Sequence, residues 1–427
     1  MNINRIVHNL ALLIGIFLVS CESRGNISQK QYLKPLTFSN VMVSPSEYGF
    51  IENKEFCVND TIDLQGRTIR LPKGVTLSKK GKGIITNGCM LGNETKINCQ
   101  TQLFDRVKIG GTWIVPTIKS SLFADLNYDN SLQDVLALSN PALHNKIIID
   151  KGHYQVSAKK SGDACLTLSS NTNFILNGCI ELIPNSFESY SVMRIIGNNV
   201  KVSGKGFIIG DKDLHTGKSG EWGMGIFVAA NRVKIEGLTI KNCWGDCVYI
   251  GKRTNDVDIE NCKITNGRRQ GISITSASNV RIGNTVISDV SGTLPECAID
   301  IEPNKNDTVS NVVIDNVSVK NCKSGIATYG KASNSMIDKI IIKGCKIEQT
   351  MEPPLSFCYT SQLEVHKCIM MKCRGDVAIS CIKVMGAEII SNQSSMELST
   401  MDKIKRFFLR DDSDAISIKD CENVVIR

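Results

Sequence analysis

Gly225-Ile226-Phe227-Val228, Cys247-Val248-Tyr249-Ile250, Gly271-Ile272-Ser273-Ile274, Ala298-Ile299-Asp300-Ile301 and Gly325-Ile326-Ala327-Thr328 are copies of one short pattern, with first residues 22, 24, 27 and 27 positions apart. A period this long exceeds any helical repeat and marks a solenoid. Each copy alternates an aliphatic with a variable residue, so one face of a strand is buried and the other is turned outward. A second strand follows each copy, as in Val233-Lys234-Ile235, Val257-Asp258-Ile259 and Val280-Arg281-Ile282, and then a third, as in Leu238-Thr239-Ile240-Lys241. Three short strands per turn, none able to bury its apolar face alone, make one coil of a parallel β-helix. The chain is therefore expected to be all-β, a single-stranded parallel β-helix of right hand, with Ile226, Val248, Ile272, Ile299 and Ile326 stacked inside it.

The pattern extends in both directions. Coils are expected from Ile147 onward, through Phe174-Ile175-Leu176 and Val200-Lys201-Val202, and beyond Tyr329 through Val377-Ala378-Ile379-Ser380 and Ala415-Ile416-Ser417-Ile418. The pattern is still running at Asn423–Arg427, as expected of a truncated gene or of an edge that a partner covers. Before it, Thr61-Ile62-Asp63-Leu64 and Ile69-Arg70-Leu71 open a strand-rich section, and Ser131–Leu138 has helical spacing. A short helix there would cap the first coil, whose open edge otherwise invites unwanted pairing. The organisation read from this is an export signal over 1–21, a flexible tether over 22–50, a strand-rich section over 51–125 and the β-helix over 126–427.

Arg5 followed by the apolar run Leu10–Val19 is an export signal too short for a membrane span. Its end, Leu18-Val19-Ser20-Cys21, resembles the lipobox of bacterial lipoproteins, which implies acylation of Cys21 and a place in the cell envelope, anchored to a membrane. Composition suits one large soluble domain: 42% of the 427 residues are hydrophobic, and repeat folds lengthen by adding coils. The formal charge of +8 is spread along the chain, which favours an acidic partner without calling for nucleic acid. No zinc-finger spacing, phosphate loop or RNA-reading motif is present, and no cofactor is expected. Of the seventeen cysteines, Cys243, Cys262, Cys322 and Cys345 each follow Asn or Gly, a spacing that places them together after the third strand. Coils stack about 4.8 Å apart, so these thiols are expected to form a buried ladder of free, space-filling side chains.

Several stretches carry a resemblance: Leu64-Gln65-Gly66-Arg67-Thr68-Ile69, Gly210–His215 with Gly220-Glu221-Trp222-Gly223, Cys243-Trp244-Gly245-Asp246, Arg268–Ile274 and Ile299–Asn304. On these the chain resembles the pectate-lyase-like superfamily of right-handed β-helix proteins, especially polygalacturonase-related lipoproteins. The resemblance implies a polysaccharide substrate. Asp246 falls where polygalacturonases have the second of two adjacent aspartates. The family's histidine falls on Gln270, and its other aspartates fall on Gly245 and Met224. Those three departures argue against an ordinary polygalacturonase, so another catalytic set is needed.

Such a set is available on the outward positions. Tyr249, Ser273 and Asp300 share one column, and Gly251, Thr275 and Glu302 the next. Asp300 and Glu302 point the same way on one strand, roughly 6.6 Å apart at Cα. The candidate catalytic residues are thus Asp246, Asp300 and Glu302, on an exposed strand face. Arg268, Arg269 and Gln270 at its edge, Trp244 beside it, and His215, Glu221 and Trp222 from the loop Gly210–Gly225 are candidate substrate contacts. Carboxylates suit acid–base work, guanidinium groups suit acidic sugars, and tryptophan suits sugar faces. Three activities fit this set: a glycoside hydrolase with paired carboxylates, a polysaccharide lyase using arginine and Ca²⁺, or a glycan-binding surface lipoprotein without chemistry. The reading leans toward hydrolysis of an acidic glycan.

Overall fold

The computed structural model describes residues 34–330, 334–374, 376–396 and 416–427. The export signal, the lipidation site at Cys21, the first part of the tether and Ala415 lie outside the described residues. The repeat folds as its period requires, into three parallel sheets. The first sheet has ten strands, among them Ser189–Ile195, Trp222–Val228, Val248–Ile250, Gln270–Ile274, Cys297–Ile301 and Ser324–Tyr329. A second sheet of twelve strands runs from Thr117–Lys119 to Val424–Ile426, and a third of ten from His153–Val156 to Gln393–Met396. Each coil contributes one strand to each sheet, and every pairing between coils is parallel. Ile226, Val248, Ile272, Ile299 and Ile326 are successive register partners and are fully buried. Branched side chains stacked in this way are stiff and fill the narrow interior at little rotamer cost.

The corners are made by residues in the left-handed region. Asn242, Asn261, Asn266, Asn284, Asn316 and Asn321 all have φ between 47° and 61°. Asparagine tolerates this conformation better than most side chains. Its amide then bonds to the next coil: Asn316 Nδ2 donates to Asn284 Oδ1 at 2.7 Å, and Asn266 Nδ2 to Asn242 Oδ1 at 2.9 Å. The residue after each corner turns inward, and that is where the thiols sit. Cys243, Cys262, Cys322 and Cys345 are buried, and no disulfide joins any of the sixteen cysteines among the described residues. They occupy two corners, not one. Cys243 and Cys322 follow strands of the third sheet, whereas Cys262 and Cys345 precede such strands. Both corners use the same Asn-then-small-residue device, so sequence spacing alone merges them.

The helix expected near Ser131 forms as α1 over Ser131–Leu136 and packs on the first-coil strands His153–Val156 and Asp163–Leu168. Its other neighbour is Phe104–Ile114 of a seven-stranded N-terminal sheet. Buried Asp134 of α1 joins the two parts by accepting hydrogen bonds from Ile109 N, Lys108 Nζ and Tyr128 Oη. The tether expected up to residue 50 ends earlier. Met42–Val43 pairs with Thr68–Ile69, and Phe50 is buried against Phe56 with ring centroids 4.2 Å apart. Among the described residues no helix is long and apolar enough to cross a membrane.

Candidate active site

The outward column of the first sheet shrinks along the helix axis. Arg194, Phe227, Tyr249, Ser273, Asp300 and Ala327 are consecutive register partners. Large side chains therefore stand at one end and small ones at the other, which hollows the face. The rings of Phe227 and Tyr249 stack at 5.0 Å and 15°, and the Arg194 guanidinium lies 5.3 Å from the Phe227 centroid. Gly251 lets Tyr249 lie down: a Cβ there would come within 2.6 Å of the tyrosine ring. Thr275 Oγ1 then donates to Tyr249 Oη at 2.7 Å. The resulting cleft, about 530 Å³, is walled by Phe227, Tyr249, Trp222 and Met224, with Arg194, Lys252, Arg269, Lys305, Glu221 and Glu302 around it. Four cations face two carboxylates on this rim.

Of the residues expected to form the site, Glu221, Trp222, Arg269 and Glu302 line the cleft. Asp246, Asp300 and Gln270 lie beneath it. Asp300 and Asp246 are only 4% and 0% exposed, so the column faces outward but is covered, unlike the open strand face read from the alternation. Arg269 bridges above them, with Nη1 3.5 Å from Asp246 Oδ1 and Nε 3.7 Å from Glu221 Oε2. Gln270 Nε2 donates to Asp300 Oδ2.

Burial dominates the electrostatics of both aspartates. It pushes Asp246 up to about 7 against the pull of Arg269, with Glu221 adding to the rise and Ser273 opposing it. It pushes Asp300 up to about 7 as well, reinforced by the charge of Glu302 and opposed by the Gln270 hydrogen bond and Arg269. A carboxyl held near neutrality can exist in both protonation states at working pH, as proton transfer requires.

Trp244, Arg268 and His215 stand beside the cleft rather than in it. The Arg268 guanidinium lies 3.6 Å from the Trp244 ring centroid on one face, and His215 stacks on Trp244 at 4.0 Å and 19°. A tryptophan in this sandwich cannot also serve as a sugar platform. Arg268 is further held by donating from Nη1 to Gly220 O at 3.1 Å. The His215 side chain is fully buried, with Nδ1 3.0 Å from Asp211 Oδ2. Asp211 also accepts from Tyr190 Oη and, at 3.0 Å, from Asn185 Nδ2. These residues clamp the loop Gly210–Gly225 onto the coils, because the contacts lie between loop and strands. The sequence reading missed Phe227, Arg194, Lys252 and Lys305. Phe227 carried a signal, since it is the outward residue one coil before Tyr249.

The structure also accounts for a departure from the polygalacturonase pattern. A Cβ at Gly245 would lie 2.4 Å from Glu221 O and 2.8 Å from Gly223 N. The loop backbone thus occupies the space an aspartate would need. Met224 is buried against the cleft, and Gln270 takes up the bond to Asp300. Among the described residues, no group of three or more His, Cys, Asp or Glu side chains is arranged to hold a metal.

Residues 224–310 match the family described as right handed beta helix region. Over 208 residues the chain is 30% identical to YclG, an uncharacterized protein of Bacillus subtilis (strain 168); the match covers 42% of this chain and 35% of that relative. Among solved structures, the A-module of mannuronan C-5 epimerase AlgE4 from Azotobacter vinelandii matches with a TM-score of 0.50 at 15% identity, covering 69% of this chain and 91% of the module. An exopolygalacturonase from Thermotoga maritima matches at 0.41 and 11% identity, over 69% and 89% of the two chains. The tailspike of E. coli bacteriophage HK620, in complex with a pentasaccharide, matches at 0.46 and 12% identity, over 71% and 64%. The epimerase module and this chain thus share a fold. With three parallel sheets, one strand of each per coil, the chain has the right-handed parallel β-helix, or pectate-lyase-like, fold.

Proposed function

We propose that this protein is a glycoside hydrolase acting on an acidic glycan, with Asp300 as proton donor and Glu302 as the base. The observation that carries this reading is the buried Asp300 carboxyl, held near neutrality between two residues that line the cleft, its register partner Ser273 and Glu302 two positions on. Same-side residues two apart on a strand lie about 6.6 Å apart at Cα, within reach of the separation of about 6.5–9.5 Å that an inverting pair needs. Asp300 would protonate the glycosidic oxygen as its bond to the anomeric carbon breaks. Glu302 would take a proton from the water that adds to that carbon from the opposite face. Arg194, Lys252, Arg269 and Lys305 favour a negatively charged sugar, and the Phe227–Tyr249 stack offers a ring face. Asp246 positions Arg269 through their ion pair. The apolar run Leu10–Val19 and the motif ending at Cys21 support a site of action in the cell envelope, on a lipid anchor.

The test is incubation of the full chain with acidic and neutral polysaccharides, following reducing ends and the ultraviolet absorbance of unsaturated uronates together. Hydrolysis gives reducing ends without absorbance. Reducing ends with absorbance would overturn the reading in favour of a lyase. Glycan binding with no cleavage of any polymer would overturn it in favour of a non-catalytic surface protein.

A further inference from the structure

The sheet edge on which Glu302 stands continues beyond the cleft. Tyr329 follows Thr328, the register partner of Ile301, so it stands one coil beyond Glu302 on the same edge of the first sheet. It is 42% exposed. One coil further, the Tyr359 ring meets Tyr329 edge to face, with centroids 6.4 Å apart. A coil beyond that, Lys383 Nζ sits 5.3 Å from the Tyr359 centroid. Tyr359 N donates to Ile382 O and Lys383 N to Lys419 O, so Tyr359, Lys383 and Asp420 occupy the same corner position on successive coils. All three are left-handed, with φ of 56°, 54° and 53°. That conformation is costly for a side chain as bulky as tyrosine, and it turns the ring out of the corner. Beside this run lies a second cavity, about 490 Å³, lined by Tyr359, Lys383, Thr360, Ser361 and the exposed Met336 and Met385.

We infer that the edge Tyr329–Tyr359–Lys383 is a distal subsite for the same acidic glycan chain, which lies along the helix axis from the catalytic cleft. The inference rests on the hydrolase reading for the identity of the glycan and adds where on the protein a longer chain continues. The shared sheet edge, with Tyr329 one coil beyond Glu302, gives the direction. The chemistry fits the ligand: aromatic rings take the C–H faces of sugars and an ammonium takes a uronate. From Glu302 to Lys383 is three coils, about 14 Å at a coil spacing near 4.8 Å, so a short oligosaccharide seated in the cleft does not reach Lys383. Asp420 follows Lys383 and closes the run with opposite charge.

The experiment measures binding of polygalacturonate, alginate and hyaluronate, each as polymer and as disaccharide, by calorimetry on the full chain. Tyr359→Asn and Lys383→Gln are compared with the wild type, with thermal unfolding measured alongside. Asparagine tolerates the left-handed position, so the first variant keeps the corner. The wild type is expected to bind one polymer more tightly than its disaccharide. Each variant is expected to weaken polymer binding about tenfold while leaving disaccharide binding unchanged. If the variants retain the wild-type preference for polymer, or weaken both ligands equally, the distal subsite is overturned and the cleft reading stands. If the wild type binds none of the three polymers, the acidic-glycan reading fails, and the subsite with it.

Discussion

Gln270 Nε2 donates to Asp300 Oδ2 at 2.5 Å, and both side chains are buried under the cleft. A hydrogen bond donated to a carboxylate favours its ionised form, so this contact holds Asp300 lower than burial alone would. Gln270→Leu removes the donor and is expected to raise Asp300 further. If Asp300 is the proton donor, it then stays protonated to higher pH, and the alkaline limb of kcat/KM moves upward. A limb that stays put or moves down counts against Asp300 as the acid.

Asp300→Asn and Glu302→Gln are each expected to lower glycan cleavage by roughly 10² to 10⁴, the usual worth of an acid–base group. Their effects on stability separate. Glu302 is half-buried at the cleft wall, and its replacement is expected to change stability by about half a kcal/mol or less. Asp246 and Asp300 are raised to about 7, whereas an unfolded aspartate titrates near 3.9. Their stabilising contribution is therefore complete below about pH 4 and is lost as pH rises toward 7, at up to about 1.4 kcal/mol per pH unit for each group. Asp300→Asn removes one of these titrations, so the variant gains stability relative to wild type between pH 5 and pH 8. Denaturant melts across that range check the sign; a relative loss refutes the burial of a titrating Asp300.

Gly245→Asp would write back one aspartate of the polygalacturonase pattern. Its side chain would meet the Glu221 carbonyl and the Gly223 amide nitrogen, which are backbone and cannot swing aside. The substitution is expected to lower the melting temperature and to displace the loop carrying Glu221 and Trp222. It should create no polygalacturonase activity. Cleavage of polygalacturonate by a normally stable Gly245→Asp protein would show that the loop yields.

How much of this was legible in the sequence follows from the range over which each feature is determined. Strand, interior and coil register were readable because Ile226, Val248, Ile272, Ile299 and Ile326 recur at the coil period, and alternation fixes which side faces in. The outward column of Tyr249, Ser273 and Asp300 follows from the same rule, as does its convergence with Glu302. The burial of Asp246 and Asp300 does not, because it depends on groups brought in from other coils and loops, such as the Arg269 guanidinium that meets Asp246 and Glu221, whose path no local pattern sets. For the same reason Trp244 and Arg268 read as sugar contacts in sequence but are spent on each other in the fold. The two thiol corners were confused because Asn242-Cys243 and Asn261-Cys262 look alike and differ only in which sheet precedes them.

The thiols themselves yield a prediction. Eleven of the sixteen described cysteines are buried, four are half-buried and Cys57 is exposed. Burial pushes Cys165 and Cys297 well above the ordinary thiol range, which suppresses the reactive thiolate. A neutral thiol-reactive probe is expected to label Cys57 quickly in the native protein and the buried set only on unfolding. Peptide mapping after labelling checks this. Disulfides joining most of the buried cysteines would refute the space-filling role.

The last prediction separates the clamp from the cleft, because the aromatic residues of the two have different duties. Trp244 is held between Arg268 and His215, and His215 in turn rests on Asp211, so these residues tie the loop Gly210–Gly225 to the coils. Truncating Trp244 to alanine removes ring contacts on both faces and is expected to cost about 2 kcal/mol of stability, less than a fully buried aromatic because the ring is only half-buried. Phe227 stacks on Tyr249 and opens on the cleft, so Phe227→Ala is expected to cost far less stability and to weaken glycan binding about tenfold. Thermal melts with calorimetric titration, done well below the melting temperature of each variant, give the two numbers for each protein. Trp244→Ala should move the first and leave the second near wild type; Phe227→Ala should do the reverse. If Trp244→Ala loses binding while keeping its stability, the tryptophan contacts sugar after all, and the Arg268 stack must open when the glycan arrives.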